Sequence, residues 1–99
     1  MSVIIIVKVP GDPAAANEVF HAQSSNMAEI AKRGREAGAI HHRFAAGTNE
    51  VIIVDEWTSA DAFQQFFGDP EIADLMKAAG AQGPPDISIY EAMDTPDAF

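Results

Sequence analysis

The run VIIIV at residues 3–7, within a stretch from Ser2 to Val9, is the feature that most limits what this chain can become. β-branched residues lose side-chain freedom in a helix and fit a pleated surface, so this stretch reads as a strand. Strand side chains alternate between faces, which puts Val3, Ile5, Val7 and Val9 on one side and Ile4 and Ile6 on the other. Both faces therefore need apolar cover. One layer of helices can supply it on one face, and the second face requires another layer.

The rest of the chain supplies the helices. PGDP ends the strand, with Asp12 placed to cap a helix whose first residue is Pro13. Ala14 to Ala37 is rich in helix formers, with Phe20, Met27, Ile30, Ala31 and Gly34 near helical spacing and a break expected at SSN (24–26). Gly38 terminates this region as a C-terminal cap, and Ala39 to Ala46 and Val51 to Trp57 read as two further strands. In TSAD, Thr58 is placed to accept from the Asp61 amide and start a helix with a Phe63, Phe66, Phe67 stripe. GDPEI restarts that helix with Asp69 as cap and Pro70 first, and Ile72, Leu75, Met76 and Ala79 continue its buried face to Gly80. A GAQGPP loop leads to a last strand, Ile87 to Met93, and residues 94–99 form a polar tail.

The order is βαββαβ within one domain, 1–99. In a single small antiparallel sheet this implies an α+β, ferredoxin-like fold with the helices on one face. That arrangement leaves Ile4 and Ile6 uncovered, and a homodimer closing two sheets on each other into an α/β barrel covers them.

Composition narrows the function. Six Lys and Arg against fifteen Asp and Glu give a net charge of −9, which repels phosphate backbones and anionic lipids, so neither nucleic acid nor a membrane is an expected partner. There is no cysteine, hence no disulfide, thiol nucleophile or thiolate metal site. The N-terminal apolar run is too short for a signal-peptide core or a membrane span, so a cytoplasmic location is the default. The sequence contains no Gly-rich phosphate loop, Gly-x-Ser-x-Gly elbow or His-Glu-x-x-His motif.

Chemistry-bearing residues gather in GAIHHRFAAGTNEVIIVDEW. With a two-residue Thr48-Asn49 turn, His42 faces Asp55, Phe44 faces Ile53 and Ile40 faces Trp57 on one face of a hairpin. His41 then faces Glu56, and Arg43 faces Val54, on the other. A slip of one residue would reshuffle both sets. A histidine held by a carboxylate keeps one tautomer and has its cationic form favoured, which suits a proton acceptor working near neutral pH.

The element order, GAIHHRF, the run VIIVDEWTSADAFQQFF and the closing ISIYEA together resemble the dimeric α/β-barrel proteins, in particular the antibiotic-biosynthesis-monooxygenase-like group. The most specific element is an apolar strand ending in Glu56-Trp57, followed by a capped helix carrying Phe63. The resemblance implies a homodimer with a ligand cavity between sheet and helices, and a cofactor-free monooxygenase acting on a small aromatic or polyketide-like molecule. In that reading His42 is the base and Asp55 its orienter. Trp57, Phe44 and Phe63 form apolar walls, and Arg43 or Tyr90 stabilises oxyanion charge.

Other readings stand beside it. A cross-strand His and Asp is more often a structural pair at a sheet end or dimer contact, and Trp57 and the phenylalanine stripe also suit plain core packing. A non-catalytic module binding a small ligand or a protein, and a proton-transfer isomerase or cyclase, fit the same residues. Haem degradation on this fold takes a histidine from the helix over the cavity, and residues 59–80 contain none. Adjacent strand residues point to opposite faces, so His41 or His42 with Asp55 or Glu56 makes a poor metal site, and neither metal nor cofactor is expected. KRGRE (32–36) reads as a solvated helix face and His21 as a surface residue.

Overall fold

Strand β1 (Val3–Pro10) lies inside a four-stranded antiparallel sheet in the computed structural model, which describes residues 1–99. Its neighbours are β3 (Glu50–Trp57) and β4 (Asp86–Glu91), and β2 (Ala39–Ala46) completes the sheet beyond β3, giving the order β2-β3-β1-β4. Between β1 and β2 run α1 (Pro13–Ala22) and α2 (Ser24–Ala37); between β3 and β4 run α3 (Ala60–Phe67) and α4 (Pro70–Ala78). Each helical crossover spans one intervening strand, and the result is an α+β ferredoxin-like fold.

The two faces of β1 have different fates. Ile5 and Val7 are wholly buried, and with Val9, Ile53, Trp57 and Phe63 they form the main core beneath the helices. The opposite face carries Ile4, Ile6 and Ile52, only partly buried, alongside exposed Val54 and Tyr90. Glu56 on that face accepts a 2.5 Å hydrogen bond from the Ser2 hydroxyl. The alternation expected from VIIIV is thus present, and within one chain only one of its two apolar faces is covered.

Helix starts follow local chemistry. Asp12 accepts from the Ala14 amide at 3.0 Å, and Asp69 from the Glu71 amide at 2.9 Å, each just before a proline whose missing N–H needs no partner. Three boundaries differ from the sequence expectation. The first helical region breaks at Gln23, not at SSN: its amide closes α1 on the Val19 carbonyl, its side chain accepts from Asn26, and both serines enter α2. Ser59, not Thr58, caps α3, accepting from the Ala62 amide at 3.1 Å. Thr58 is still tied to the strand side, because its own amide donates to the Gly38 carbonyl at 2.9 Å. The last strand starts at Asp86 and stops at Glu91, leaving Met93 exposed.

Candidate active site

The β2–β3 hairpin turns through Thr48-Asn49, with the Gly47 amide donating to the Glu50 carbonyl and Asn49 in the left-handed region at φ 57°. Asparagine tolerates that conformation, so the turn and the register agree. His42 lies opposite Asp55, Phe44 opposite Ile53, Arg43 opposite Val54 and His41 opposite Glu56, as the two-residue turn requires. The far end departs from it: Ala39, not Ile40, pairs with Trp57, because the ladder shifts between Ala39 and His41. The extra residue, Ile40, is left 46% exposed, while the small Ala39 packs against the core that contains the indole.

Asp55 joins the two other polar groups on this face. His42 Nδ1 lies 2.7 Å from Asp55 Oδ1, and the Trp57 indole Nε1–H donates to Asp55 Oδ2 at 3.0 Å. An indole nitrogen only donates and a carboxylate only accepts, so Nδ1 of a neutral His42 carries the ring proton and Nε2 presents a lone pair. Asp55 is 6% exposed and the His42 side chain 45%, which places the orienting group inside and the imidazole within reach of a ligand. The ring of His42 stands edge-on to Phe44 at 5.0 Å, and Phe44 in turn lies 4.5 Å from Phe20. Trp57 contacts Phe63 at 5.7 Å and Phe66 at 5.4 Å between ring centres, so the indole is fixed both by packing and by its N–H.

These residues border a cavity of about 410 Å³ between the sheet and the helices, within the size range of small-molecule sites. Its lining is mostly hydrophobic; the exceptions are Gly34, Arg35, His41, His42 and Asp55. Five of the residues singled out from sequence meet here: His42, Asp55, Trp57, Phe44 and Phe63. Arg43 and Tyr90 do not. Arg43 pairs with Val54, and Tyr90 with Ile4, on the opposite sheet face, and both are exposed. Strand alternation separates them from His42, so within the chain neither can stabilise charge in this cavity.

The helices contribute lining that sequence reading did not assign. Gly34 is buried where a Cβ would stand 3.4 Å from the Phe66 ring, so α2 approaches α3 closely. Arg33 bonds Glu71 at 2.8 Å and lies 3.7 Å from Asp69, linking α2 to the start of α4. Arg35 lines the cavity itself. KRGRE is therefore only partly a solvated face. The available signal was Gly34, whose missing side chain marks where the helix turns inward. No group of three His, Asp or Glu side chains is arranged to hold a metal ion, and no helix is long and apolar enough to cross a membrane.

Neither a protein-family model nor a curated protein sequence matches the chain. Solved structures do. A monooxygenase from the gene ActVA-Orf6 of Streptomyces coelicolor, in complex with nanaomycin D, is 25% identical with a TM-score of 0.67, covering 95% of this chain and 89% of that one. SnoaB, a cofactor-independent oxygenase from Streptomyces nogalater, is 21% identical with a TM-score of 0.64, covering 98% of each chain. An antibiotic biosynthesis monooxygenase is 12% identical with a TM-score of 0.63, covering 93% and 99%. The fold is that of the antibiotic-biosynthesis-monooxygenase-like proteins. On this monooxygenase-like scaffold, His42, Asp55 and Trp57 form one hydrogen-bonded chain at the edge of an apolar cavity.

Proposed function

We propose that this protein is a cytoplasmic, homodimeric, cofactor-independent monooxygenase acting on a small aromatic or polyketide-like substrate. The observation that carries the reading is the relay from Trp57 Nε1–H to Asp55 to His42 at the edge of an apolar cavity. It leaves His42 Nε2 as a proton acceptor beside space for a ring system. The likeness to the nanaomycin-bound monooxygenase and to a cofactor-independent oxygenase supports oxygen chemistry over other uses of such a base.

For a ring CH2 activated by neighbouring aromatic rings, the steps balance without an added reductant. His42 Nε2 takes one proton, and the carbanion passes one electron to dioxygen. The substrate radical and superoxide combine, and His42 returns the proton to give a hydroperoxide. Loss of the second C–H proton with cleavage of the O–O bond leaves C=O and water. Four electrons move from carbon to oxygen, and one oxygen atom enters the product. Asp55 holds the imidazole in the required tautomer and offsets the charge it gains. The apolar walls from Phe44, Phe63 and Trp57 keep the carbanion away from water.

The test is oxygen uptake with an anthrone-type substrate under labelled dioxygen. Uptake matched by one labelled oxygen per product, and strongly lowered by His42→Ala, is the expected result. Exchange of substrate protons with solvent deuterium but no oxygen uptake would reassign the site to proton-transfer chemistry. Nanaomycin D, bound by one structural neighbour, is a first binding probe.

A further inference from the structure

We infer that the cavity is built for a ring system carrying an anionic group such as a carboxylate, and that Arg35 receives that group. The inference rests on the cavity being the ligand site, as proposed above, and adds the substrate's charge.

Within the cavity, the polar lining is one-sided. Its single carboxylate, Asp55, has both oxygens engaged, one by His42 and the other by Trp57. It has no free oxygen directed at a ligand. What remains is Arg35 and two histidines, of which His42 is already held by Asp55 through Nδ1 and His41 stands opposite Glu56, so Arg35 is the one permanent cation of the lining. Arg35 is the only Lys or Arg in the lining, and it is exposed, which places it where the cavity meets solvent.

Arg35 also has no carboxylate partner. The ion pairs of the chain are those of Arg33 with Asp69 and Glu71, and of His42 with Asp55. Arg33, two residues earlier on α2, thus serves the helix-to-helix contact, while Arg35 is left free beside the cavity. Of the six Lys and Arg only Arg33 is in an ion pair, and what sets Arg35 apart from the other five is that it alone borders the apolar cavity. A guanidinium on that edge can pair with a carboxylate in two parallel hydrogen bonds while the rings occupy the apolar interior. Arg35 sits in the last turn of α2, just before the Gly38 cap.

Calorimetric titration of the intact protein with 2-naphthoate and with its neutral isostere 2-naphthamide tests this. The naphthoate is expected to bind about fivefold more tightly, the size of one partly solvated ion pair. The gap should narrow as salt is raised. Arg35→Gln should remove the gap while leaving naphthamide affinity unchanged, and the retained affinity reports that the variant is folded. Equal affinities in the unmodified protein, a gap that survives Arg35→Gln, or no binding of either compound would each overturn the inference. His42→Ala separates it from the proposed function. Loss of oxygen uptake with the gap intact leaves Arg35 as an anion site, and oxygen uptake without a gap leaves the oxygenase reading standing alone.

Discussion

Asp55 is the residue on which the site turns, because it is buried and yet shared between an exposed imidazole and a buried indole. A base positioned for proton abstraction contributes about 10²–10⁴-fold to rate. His42→Ala is therefore expected to lower oxygenation in that range, and Asp55→Asn to lower it through loss of the tautomer. Because the two act as a unit, the double variant should be no slower than the worse single one, measured as kcat/KM for oxygen uptake. Trp57→Phe removes the N–H that satisfies Oδ2. An unsatisfied buried acceptor costs about 1–3 kcal/mol, so its urea midpoint should fall. If Trp57→Phe instead keeps full stability while activity drops, the indole's main role is toward the ligand. The sequence placed His42 across from Asp55, since a two-residue turn sets the register. It could not show that the indole two residues along the strand bends back to the same carboxylate, because that contact depends on rotamers chosen by Phe63 and Phe66 packing.

At the scale of elements, Gly38 joins the end of α2 to the end of β3. Its φ of 132° lies where side chains rarely go, its carbonyl accepts from Thr58, and an added Cβ would stand 2.5 Å from the Thr58 hydroxyl. Gly38→Ala is expected to cost about 1–3 kcal/mol. For a domain of this size, that lowers Tm by roughly 4–8 °C per kcal/mol in a calorimetric scan. No change in Tm would mean that the helix end relaxes without cost. Helix and strand types were legible throughout, from β-branched runs, Asp-Pro starts and glycine stops. The bulge at Ile40 was not, because it follows from fitting a small side chain over the indole while α2 and β3 are joined at Gly38. Neither constraint is present in the local pattern.

The whole molecule carries an unresolved demand in its sheet. Ile4, Ile6, Ile52 and Val54 line the face away from the helices, and Val54 is 41% exposed in the single chain. A second copy placing the same face against this one, as proposed, would bury these residues from both sides. Native mass spectrometry should then show a species near twice 10.6 kDa. Ile6→Asp, which sets an unpaired charge at the centre of that face, should shift it to monomer while His42 and Asp55 remain in place. A monomeric unmodified protein would contradict the barrel arrangement directly.

The sequence by itself determined the order of elements, the burial of alternate residues in β1 and the pairing of His42 with Asp55. These follow from periods and turn lengths that act over a few residues. Tertiary structure decided which polar groups share the cavity. Arg43 and Tyr90 fell to the far face by strand alternation, and Trp57 became a donor to Asp55. Arg35 joined the lining next to Gly34, where α2 lies close to α3. The physical reason is that a cavity is formed by surfaces from separate elements, and its chemistry depends on how closely they pack, which no single stretch of chain encodes.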